Sequence, residues 1–368
     1  MHILVTADTL GGVWTYTREL VTGLVRRGER VTLVSFGNIP TPAQTRWMDG
    51  LENLDYRPTA FKLEWMLDCE ADMAASARYL ESLIEETRPD LLHLSQFYYG
   101  SLASDVPRVV VAHSDVISWW LAVHKQEPPQ TDWVRWYRQA VKQGLEGATA
   151  VIAPSRWMLE QVELIYGAPA HGAVIHNGRT PALFNPHVSK QEKIVTVGRL
   201  WDSGKNVSLL LRHEMPGEVH IVGSDRHPEL QSNAFAAEAI RPNVYLDPEQ
   251  DEAQLVQTLA RAGIYVASSQ YEPFGLAPLE AALSRCALVA SDIPSFRELW
   301  ESSAVFFRNN DAASLQGAIS RLLCDRSLRR EKANLAYHHA LRCFSAGRMV
   351  SDYMNLYRAL VPAQALSA

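Results

Sequence analysis

Short apolar runs alternate with longer stretches of helical periodicity along almost the whole chain. The runs are rich in β-branched residues, as expected for strands that are buried on both faces of a parallel sheet. Strands are predicted at His2–Ala7, Arg30–Phe36, Leu91–Leu94, Arg108–His113, Ala150–Ala153, Ala173–His176, Lys193–Val197, Glu218–Gly223, Asn243–Leu246, Gly263–Ala267, Ala287–Ala290 and Ala304–Phe307. Helices predicted between and after them include Thr15–Arg27, Met73–Glu86, Trp133–Gln143, Ser155–Ile165, Asp251–Arg261, Ala277–Ser284, Ala312–Cys324, Ser327–Cys343 and Gly347–Leu360.

The alternation is interrupted at Asn177–Glu192, which contains glycine and proline but little periodic hydrophobicity. This segment is predicted to link two domains. We expect an N-terminal Rossmann-like domain at residues 1–177, a second one at 178–345, and a helical tail at 346–368 that returns to the first domain. The expected fold class is α/β, with two doubly wound domains facing each other across a cleft. Ligands then bind at the carboxyl ends of the strands.

Composition narrows the possible functions. The chain of 368 residues has a net charge of −6, which argues against a general nucleic-acid-binding protein because phosphate backbones require a basic surface. Its four cysteines are scattered and lack metal-ligand spacing, which favours thiols in a reducing compartment. No signal peptide is recognisable and no apolar run has the ~20 residues needed to span a bilayer. A cytoplasmic protein without a transmembrane segment is therefore expected.

The most informative motif is Glu-Pro-Phe-Gly-Leu-Ala-Pro-Leu-Glu at Glu272–Glu280, between a predicted strand and a helix. A glycine at a helix N-terminus favours binding of a phosphate by backbone N–H groups. Two carboxylates beside such a site fit the hydroxyls of a sugar. On these residues alone an alternative is equally good: Glu280 complements the helix dipole and Glu272 is a solvated loop acid.

Two further loops follow predicted strands. Arg199 and Lys205 lie on one loop, and their positive charges fit a diphosphate. Gly11 and Gly12 separate the first strand from the first helix, where glycine permits close approach of the backbone to a ligand. The pair does not form Gly-x-Gly-x-x-Gly, which weakens a nicotinamide-binding hypothesis.

His113 ends a predicted strand, so its side chain is expected at the carboxyl edge of a sheet. A lone histidine is more often structural than catalytic. Its position at a strand end makes it a candidate nonetheless.

Together these motifs resemble the retaining family-four, group-one glycosyltransferases of the GT-B fold. Glycogen and starch synthases have a similar stretch at the position of Glu272–Glu280. The resemblance implies that Glu272 contacts the donor sugar, Glu280 holds the nucleotide ribose, and His113 contacts the transferred sugar. Two departures stand out: Arg179-Thr180 replaces a common aliphatic-acidic pair, and Asp247 replaces a common glycine near the nucleotide base.

The resemblance supplies a set of expected site residues. The expected catalytic residues are His113, Arg199, Lys205 and Glu272. The expected donor-binding residues are Gly11, Gly12, Arg199, Lys205, Phe274, Gly275, Leu276 and Glu280. Most tryptophans precede the linker, in the half that binds acceptor. Candidate acceptor contacts are Trp14, Trp119, Trp120 and Ser155, although most of the tryptophans fit a core role and Ser155 also fits a helix N-cap.

The implied reaction is transfer of a hexose from a UDP-, GDP- or ADP-linked donor to an acceptor hydroxyl, by front-face substitution with retention. No metal and no cofactor are expected, because side chains supply the positive charge. The acceptor is open between a saccharide, a lipid and an aromatic compound, and peripheral membrane contact is compatible with the tryptophans. The alternatives are a glycoside phosphorylase or nucleotide-sugar epimerase of the same fold, a non-catalytic nucleotide-sugar-binding protein and, more distantly, a nicotinamide oxidoreductase.

Overall fold

The computed structural model describes residues 1–224 and 241–361. The chain divides into two compact units. Unit 1 comprises Met1–Leu121, Gln126–Gly178 and the segment that begins at Ala346, while unit 2 comprises Ala122–Lys125 and Arg179–Ser345. Of the tail predicted at 346–368, residues 362–368 lie outside the described part of the chain.

The strands of the described residues are β1 (His2–Asp8), β2 (Arg30–Phe36), β3 (Leu54–Pro58), β4 (Leu91–Leu94), β5 (Arg108–Val111), β6 (Ala150–Ala153), β7 (Gly172–Val174), β8 (Gln191–Val197), β9 (Glu218–Val222), β10 (Val244–Asp247), β11 (Ala262–Ala267), β12 (Ala287–Ser291) and β13 (Ala304–Phe307). The helices are α1 (Gly12–Val25), α2 (Pro42–Thr45), α3 (Glu70–Thr87), α4 (Val116–His124), α5 (Asp132–Gly147), α6 (Arg156–Tyr166), α7 (Glu252–Arg261), α8 (Leu276–Leu283), α9 (Pro294–Trp300), α10 (Ala312–Cys324), α11 (Arg326–Cys343) and α12 (Ala346–Leu360).

Each unit contains one sheet in which all pairings are parallel. The order in unit 1 is β3-β2-β1-β4-β5-β6-β7, and in unit 2 it is β10-β9-β8-β11-β12-β13. The chain reverses its winding direction between β1 and β4, and again between β8 and β11. Such switch points leave a crevice at the carboxyl ends of the strands, where doubly wound proteins bind ligands. The predicted α/β fold with two Rossmann-like units is confirmed.

The alternation of side chains along each strand gives each sheet an apolar cluster on both faces. In unit 1, Leu4 packs into one cluster whereas its neighbours Ile3 and Val5 pack into the other. In unit 2, Ile264 and Tyr265 divide in the same way. Burial on both faces explains why these strands are almost continuously apolar. The polar groups that remain at the strand ends are therefore candidates for function.

The twelve predicted strands are present, with small shifts at their ends. Strand β3 was not predicted, because its sequence Leu-Asp-Tyr-Arg-Pro has no clear alternation and includes a proline. Among the described residues it pairs only with β2, at the edge of the sheet, and an edge strand tolerates both features. No helix in the described part of the chain is long and apolar enough to cross a membrane.

The tail helix α12 packs against α1 in unit 1, through a buried polar contact as well as apolar ones. His93, at the centre of β4, lies with Nε2 3.0 Å from the Tyr16 hydroxyl and Nδ1 2.7 Å from the Tyr357 hydroxyl. Tyr353 packs edge-on against the same imidazole. One histidine thus connects α1, β4 and α12 in the core. Burial, assisted by nearby His113, lowers the pKa of His93 to about 3.

The buried imidazole of His93 predicts acid sensitivity of unit 1. The unfolded chain takes up a proton near pH 6.5 and the folded chain only near pH 3, so stability declines as pH falls through this window. The expected slope is about 1.4 kcal/mol per pH unit for this one group. In urea unfolding over this range, His93→Gln should be less stable at neutral pH and should show a shallower pH dependence. His171→Gln, at an exposed histidine of the same unit, is the control and should keep the wild-type slope.

Candidate active site

The crevice of unit 2 lies where β8 and β11 end side by side. The loop after β8 begins at Gly198, whose N–H donates to the Val222 carbonyl over 3.0 Å. A side chain on Gly223 would place its Cβ 2.0 Å from the Gly198 carbonyl oxygen, so the two loops meet backbone to backbone. This close contact fixes the start of the loop that carries Arg199 and Lys205.

The loop that carries Lys205 is bound to the loop that follows β11. The Gly204 carbonyl accepts the N–H groups of Gln270 and Tyr271, at 2.8 and 3.3 Å. The Ser268 hydroxyl donates to the Lys205 carbonyl at 3.0 Å. Three hydrogen bonds therefore hold two loops together that are far apart in the sequence. Such fixed loops favour preorganised charges.

These hydrogen bonds bring Lys205 and Glu272 into contact. Lys205 Nζ lies 2.6 Å from Glu272 Oε2, and the Ser269 hydroxyl donates to the same oxygen at 3.0 Å. With Gly275 and Pro278, they line one pocket of unit 2. Lys205, the cation expected to bind a diphosphate, is thus a neighbour of Glu272, the carboxylate expected to contact a sugar.

Helix α8 starts at the edge of this pocket. Gly275 is its N-cap, with φ of 88°, and an added Cβ would lie 3.1 Å from Pro278 Cγ and 3.2 Å from Glu272 Cγ. Glycine is required here by both conformation and space. Phe274 is buried against Phe344, with ring centroids 5.3 Å apart, and Leu276 is the first helical residue. This part of the motif therefore supports the helix start.

Arg199 lies on the same loop as Lys205, but its guanidinium faces other groups. It is 3.1 Å from Asp202 Oδ2 and stacks over the ring of Trp201, with 4.8 Å from Cζ to the ring centroid. Asp202 also accepts the Gly204 N–H at 2.9 Å. Arg199 is thus oriented by its own loop.

Glu280 lies in α8, nearly buried, and has an unexpected partner. Arg179 Nε is 2.8 Å from Glu280 Oε1. The arginine stands at one of the departures from the family pattern. No motif or spacing in the sequence predicts that these two residues meet.

In unit 1, the glycine pair lies between β1 and α1. Gly11 has φ of 71° and is the N-cap of α1, while Gly12 is the first helical residue. The preceding turn is closed by Asp8, whose Oδ1 accepts the Leu10 N–H at 2.6 Å. The left-handed conformation at Gly11 accounts for glycine at that position.

The ring of His113 packs edge-on against Tyr16, with centroids 4.5 Å apart. Its Nε2 is shielded from solvent and has no hydrogen-bond partner within residues 1–224 and 241–361. Burial lowers the pKa of His113 to about 3, so the ring is neutral at physiological pH and a weak proton acceptor. This state suits a hydrogen bond to a sugar hydroxyl better than general base catalysis.

The candidate acceptor contacts have varied surroundings. Trp14 is buried next to Trp47, and its indole N–H donates to the Gln44 carbonyl at 3.2 Å. Ser155 is fully buried and its hydroxyl accepts the Met158 N–H as the N-cap of α6. Packing and capping account for these two residues.

Trp119 and Trp120 lie half-buried on α4. Their rings are in edge contact, with centroids 6.3 Å apart. They are the tryptophans of the predicted set that keep exposed surface, so an acceptor contact at this pair stays a prediction.

Two polar side chains that the sequence did not single out lie near the end of β4. Gln96 is buried, and both polar atoms of its amide lack a partner among the described residues. Glu64 accepts the N–H groups of Phe97 and Tyr98, at 3.0 and 2.8 Å, and burial raises its pKa to about 7. A buried amide with unmet hydrogen bonds is typical of sites for a polar ligand or ordered water. For Gln96 the available indication was a polar residue two positions after the buried strand β4.

Comparison with known proteins places the chain in a family. Residues 10–182 match the sequence model described as Glycosyltransferase Family 4. Residues 183–339 match the one described as Glycosyl transferases group 1. The chain belongs to the family 4, group 1 glycosyltransferases. The predicted resemblance is therefore confirmed, and with it a glycosyltransferase function.

Two relatives of this glycosyltransferase are named as synthases. The alpha-maltose-1-phosphate synthase of Mycolicibacterium smegmatis is 26% identical, covering 72% of this chain and 75% of the relative. The glycogen synthase of Mycobacterium tuberculosis is 25% identical, covering 89% of this chain and 86% of the relative.

Among solved structures, sucrose-phosphate synthase from Thermosynechococcus elongatus has a TM-score of 0.80 at 19% identity, covering 98% of this chain and 99% of that one. Anabaena HepE in complex with UDP and glucose has a TM-score of 0.77 at 16% identity, covering 98% of this chain and all of the other. This glycosyltransferase thus has the GT-B type of fold.

The geometry around Gly275 predicts that a side chain at this position lowers the stability of this glycosyltransferase. Gly275→Ala should lose roughly 1–2 kcal/mol of stability, because alanine must adopt a positive φ and press on Glu272. In chemical denaturation and donor titration, both stability and donor affinity should decrease. Gly317→Ala is the matched control, since its Cβ would meet nothing within 4 Å in the exposed face of α10, and it should be neutral or stabilising. Unchanged donor affinity in Gly275→Ala would contradict the placement of the pocket.

Proposed function

We propose that this glycosyltransferase transfers a hexose from a nucleotide-diphosphate sugar to an acceptor hydroxyl, with retention of configuration and by front-face substitution. The observation that supports it most directly is the Lys205–Glu272 pair at 2.6 Å, in the pocket at the end of β8 and β11. A nucleotide sugar carries its hexose and its diphosphate on adjacent atoms. Such a ligand needs a cation for its diphosphate and, beside it, a group that accepts hydrogen bonds from the hydroxyls of its hexose.

In this proposal Arg199 and Lys205 bind the diphosphate. The bond from the anomeric carbon to the diphosphate oxygen breaks while the acceptor oxygen bonds to that carbon from the same face. The proton of the acceptor hydroxyl passes to the leaving diphosphate oxygen. Negative charge grows on the diphosphate as the bond breaks, and the two cations stabilise it. They also replace a divalent metal ion, so no metal and no cofactor are needed.

Glu272 and His113 orient the sugar, and Glu280 binds the nucleotide ribose. Glu272 contacts both Lys205 and Ser269, and these two contacts fix its carboxylate as a hydrogen-bond acceptor. The neutral ring of His113 offers a hydrogen bond without a charge. The proposed phosphate contact is the backbone at the start of α8, at Phe274, Gly275 and Leu276. A second proposed contact is the backbone at Gly11 and Gly12, where glycine lets the chain lie close to the donor.

The donor class is supported by the solved neighbours. HepE has been crystallised with UDP-glucose and with UDP. A UDP-, GDP- or ADP-linked hexose is the proposed donor range for this chain. The acceptor is a hydroxyl compound, whether saccharide, lipid or aromatic, that contacts unit 1 through Trp119 and Trp120.

Removing the Lys205 cation should weaken donor binding. Lys205→Ala loses a charge-assisted contact to the diphosphate, so affinity for the donor should fall by roughly 10–100-fold and turnover should fall further. The measurement is calorimetric titration with UDP-, GDP- and ADP-glucose, followed by turnover with the donor that binds. Lys193→Ala, which removes a β8 lysine paired with Glu218, is the control and should leave affinity unchanged. Equal affinity in wild type and Lys205→Ala would refute the assignment.

The stereochemical course and the metal requirement are directly measurable. With an α-linked donor, proton NMR of the product formed should show an α linkage, and EDTA should leave the initial rate unchanged. A β-linked product would contradict retention. Loss of activity in EDTA that Mg²⁺ or Mn²⁺ restores would contradict the proposal that Arg199 and Lys205 alone balance the diphosphate charge.

A further inference from the structure

Arg179 is almost completely buried in unit 2, and it contacts two carboxylates. Its side chain is 1% exposed, with Nε 2.8 Å from Glu280 Oε1 and Nη2 2.6 Å from Glu252 Oε1. Its Cζ also lies 5.4 Å from the centre of the Phe184 ring. A guanidinium needs such partners when it is removed from water, because an unpaired buried charge is very costly.

The backbone of Arg179 is fixed as well. Its N–H donates to the Phe344 carbonyl at 3.0 Å, and the residue forms a parallel bridge with Ser345. Phe344 in turn packs against Phe274, which lies in the loop that leads into α8. The backbone and the guanidinium of Arg179 are therefore both fixed relative to the helix that carries Glu280.

The two acidic partners differ in their exposure. Glu252, in the first turn of α7, is 39% exposed, whereas the side chain of Glu280 is only 10% exposed. Water can solvate Glu252 without the arginine. Glu280 has little access to water, so it depends much more on a nearby cation as a partner. The main electrostatic effect of Arg179 is thus on Glu280.

We propose that Arg179 is a positioning residue for the nucleoside end of the donor. The ion pair between its Nε and Glu280 Oε1, 2.8 Å apart, orients the carboxylate to accept hydrogen bonds from the vicinal hydroxyls of a ribose. The inference rests on the proposed function, in which Glu280 binds that ribose. It adds a second residue, remote in sequence, on which recognition of ribose depends.

A purely structural role for Arg179 predicts a different result. If the arginine only fastens its segment to Ser345, its loss lowers stability and weakens all ligands alike. If it acts through Glu280, its loss weakens ligands that carry the ribose hydroxyls and spares those that lack them. Comparison of ribo- and deoxyribonucleotides separates the two roles.

The test uses the full chain and the diphosphates UDP, GDP and ADP with their 2′-deoxy counterparts, in calorimetric titrations. Wild type should bind at least one ribonucleotide, and bind it more tightly than its 2′-deoxy form. Arg179→Leu should bind that ribonucleotide roughly 10-fold more weakly, as for loss of a hydrogen bond to a charged group, and the deoxy form nearly as wild type does. Arg179→Lys, which keeps the charge, should recover part of the difference.

Two further variants sharpen the result. The double variant Arg179→Leu with Glu280→Gln should bind no more weakly than Glu280→Gln alone, because the two residues act on one contact. Glu252→Gln, which removes only the exposed partner, should keep the ribose preference. If Arg179→Leu does not fold, Arg179→Lys and Glu280→Gln still measure that preference.

The outcomes against the inference are distinct from those against the function. Equal weakening of ribo- and deoxyribonucleotides in the Arg179 variants, or additive losses in the double variant, overturns the positioning role while leaving the glycosyltransferase proposal intact. A wild-type protein that binds none of the three diphosphates overturns the donor assignment itself.

Discussion

Strands β8 and β11 lie side by side in the second sheet although β9, β10 and α7 come between them in the chain. Most of the candidate donor site depends on this pairing. It brings the loop of Lys205 to the loop of Glu272, and Gly204 then accepts two backbone N–H groups from the other loop. A lysine on a free loop would be a mobile, hydrated charge. Held by backbone hydrogen bonds, it becomes a fixed charge 2.6 Å from a carboxylate, which is what electrostatic catalysis requires.

Charges in this site are organised in pairs. Lys205 faces Glu272, Arg199 faces Asp202, and Arg179 faces Glu280. Removing a charge partly from water costs less free energy when the charge is paired than when it is isolated. In the proposed function the same pairs bind a ligand that carries both negative phosphates and neutral hydroxyls, so one arrangement would serve both stability and recognition.

The first unit also has candidate groups at the carboxyl edge of its sheet, but their charge differs from that of the groups in unit 2. Two of its candidate groups are neutral: the His113 ring has a pKa lowered to about 3, and the buried Gln96 amide lacks hydrogen-bond partners among the described residues. Hydrogen-bonding groups without charge suit a hydroxylated ligand, whereas the charged pairs of unit 2 suit a diphosphate.

The sequence by itself determined the parallel strands, the two units, the glycines at Gly11 and Gly275 and the family, because these depend on local pattern and on motifs that are contiguous. It did not determine β3, whose place at a sheet edge relaxes the requirements on its residues. Only the tertiary structure decided which side chains face each other. Arg179 was visible as an unusual residue, but its contact with Glu280 arises when its backbone joins Phe344 and Ser345. Contacts between distant segments depend on packing, which no local pattern specifies.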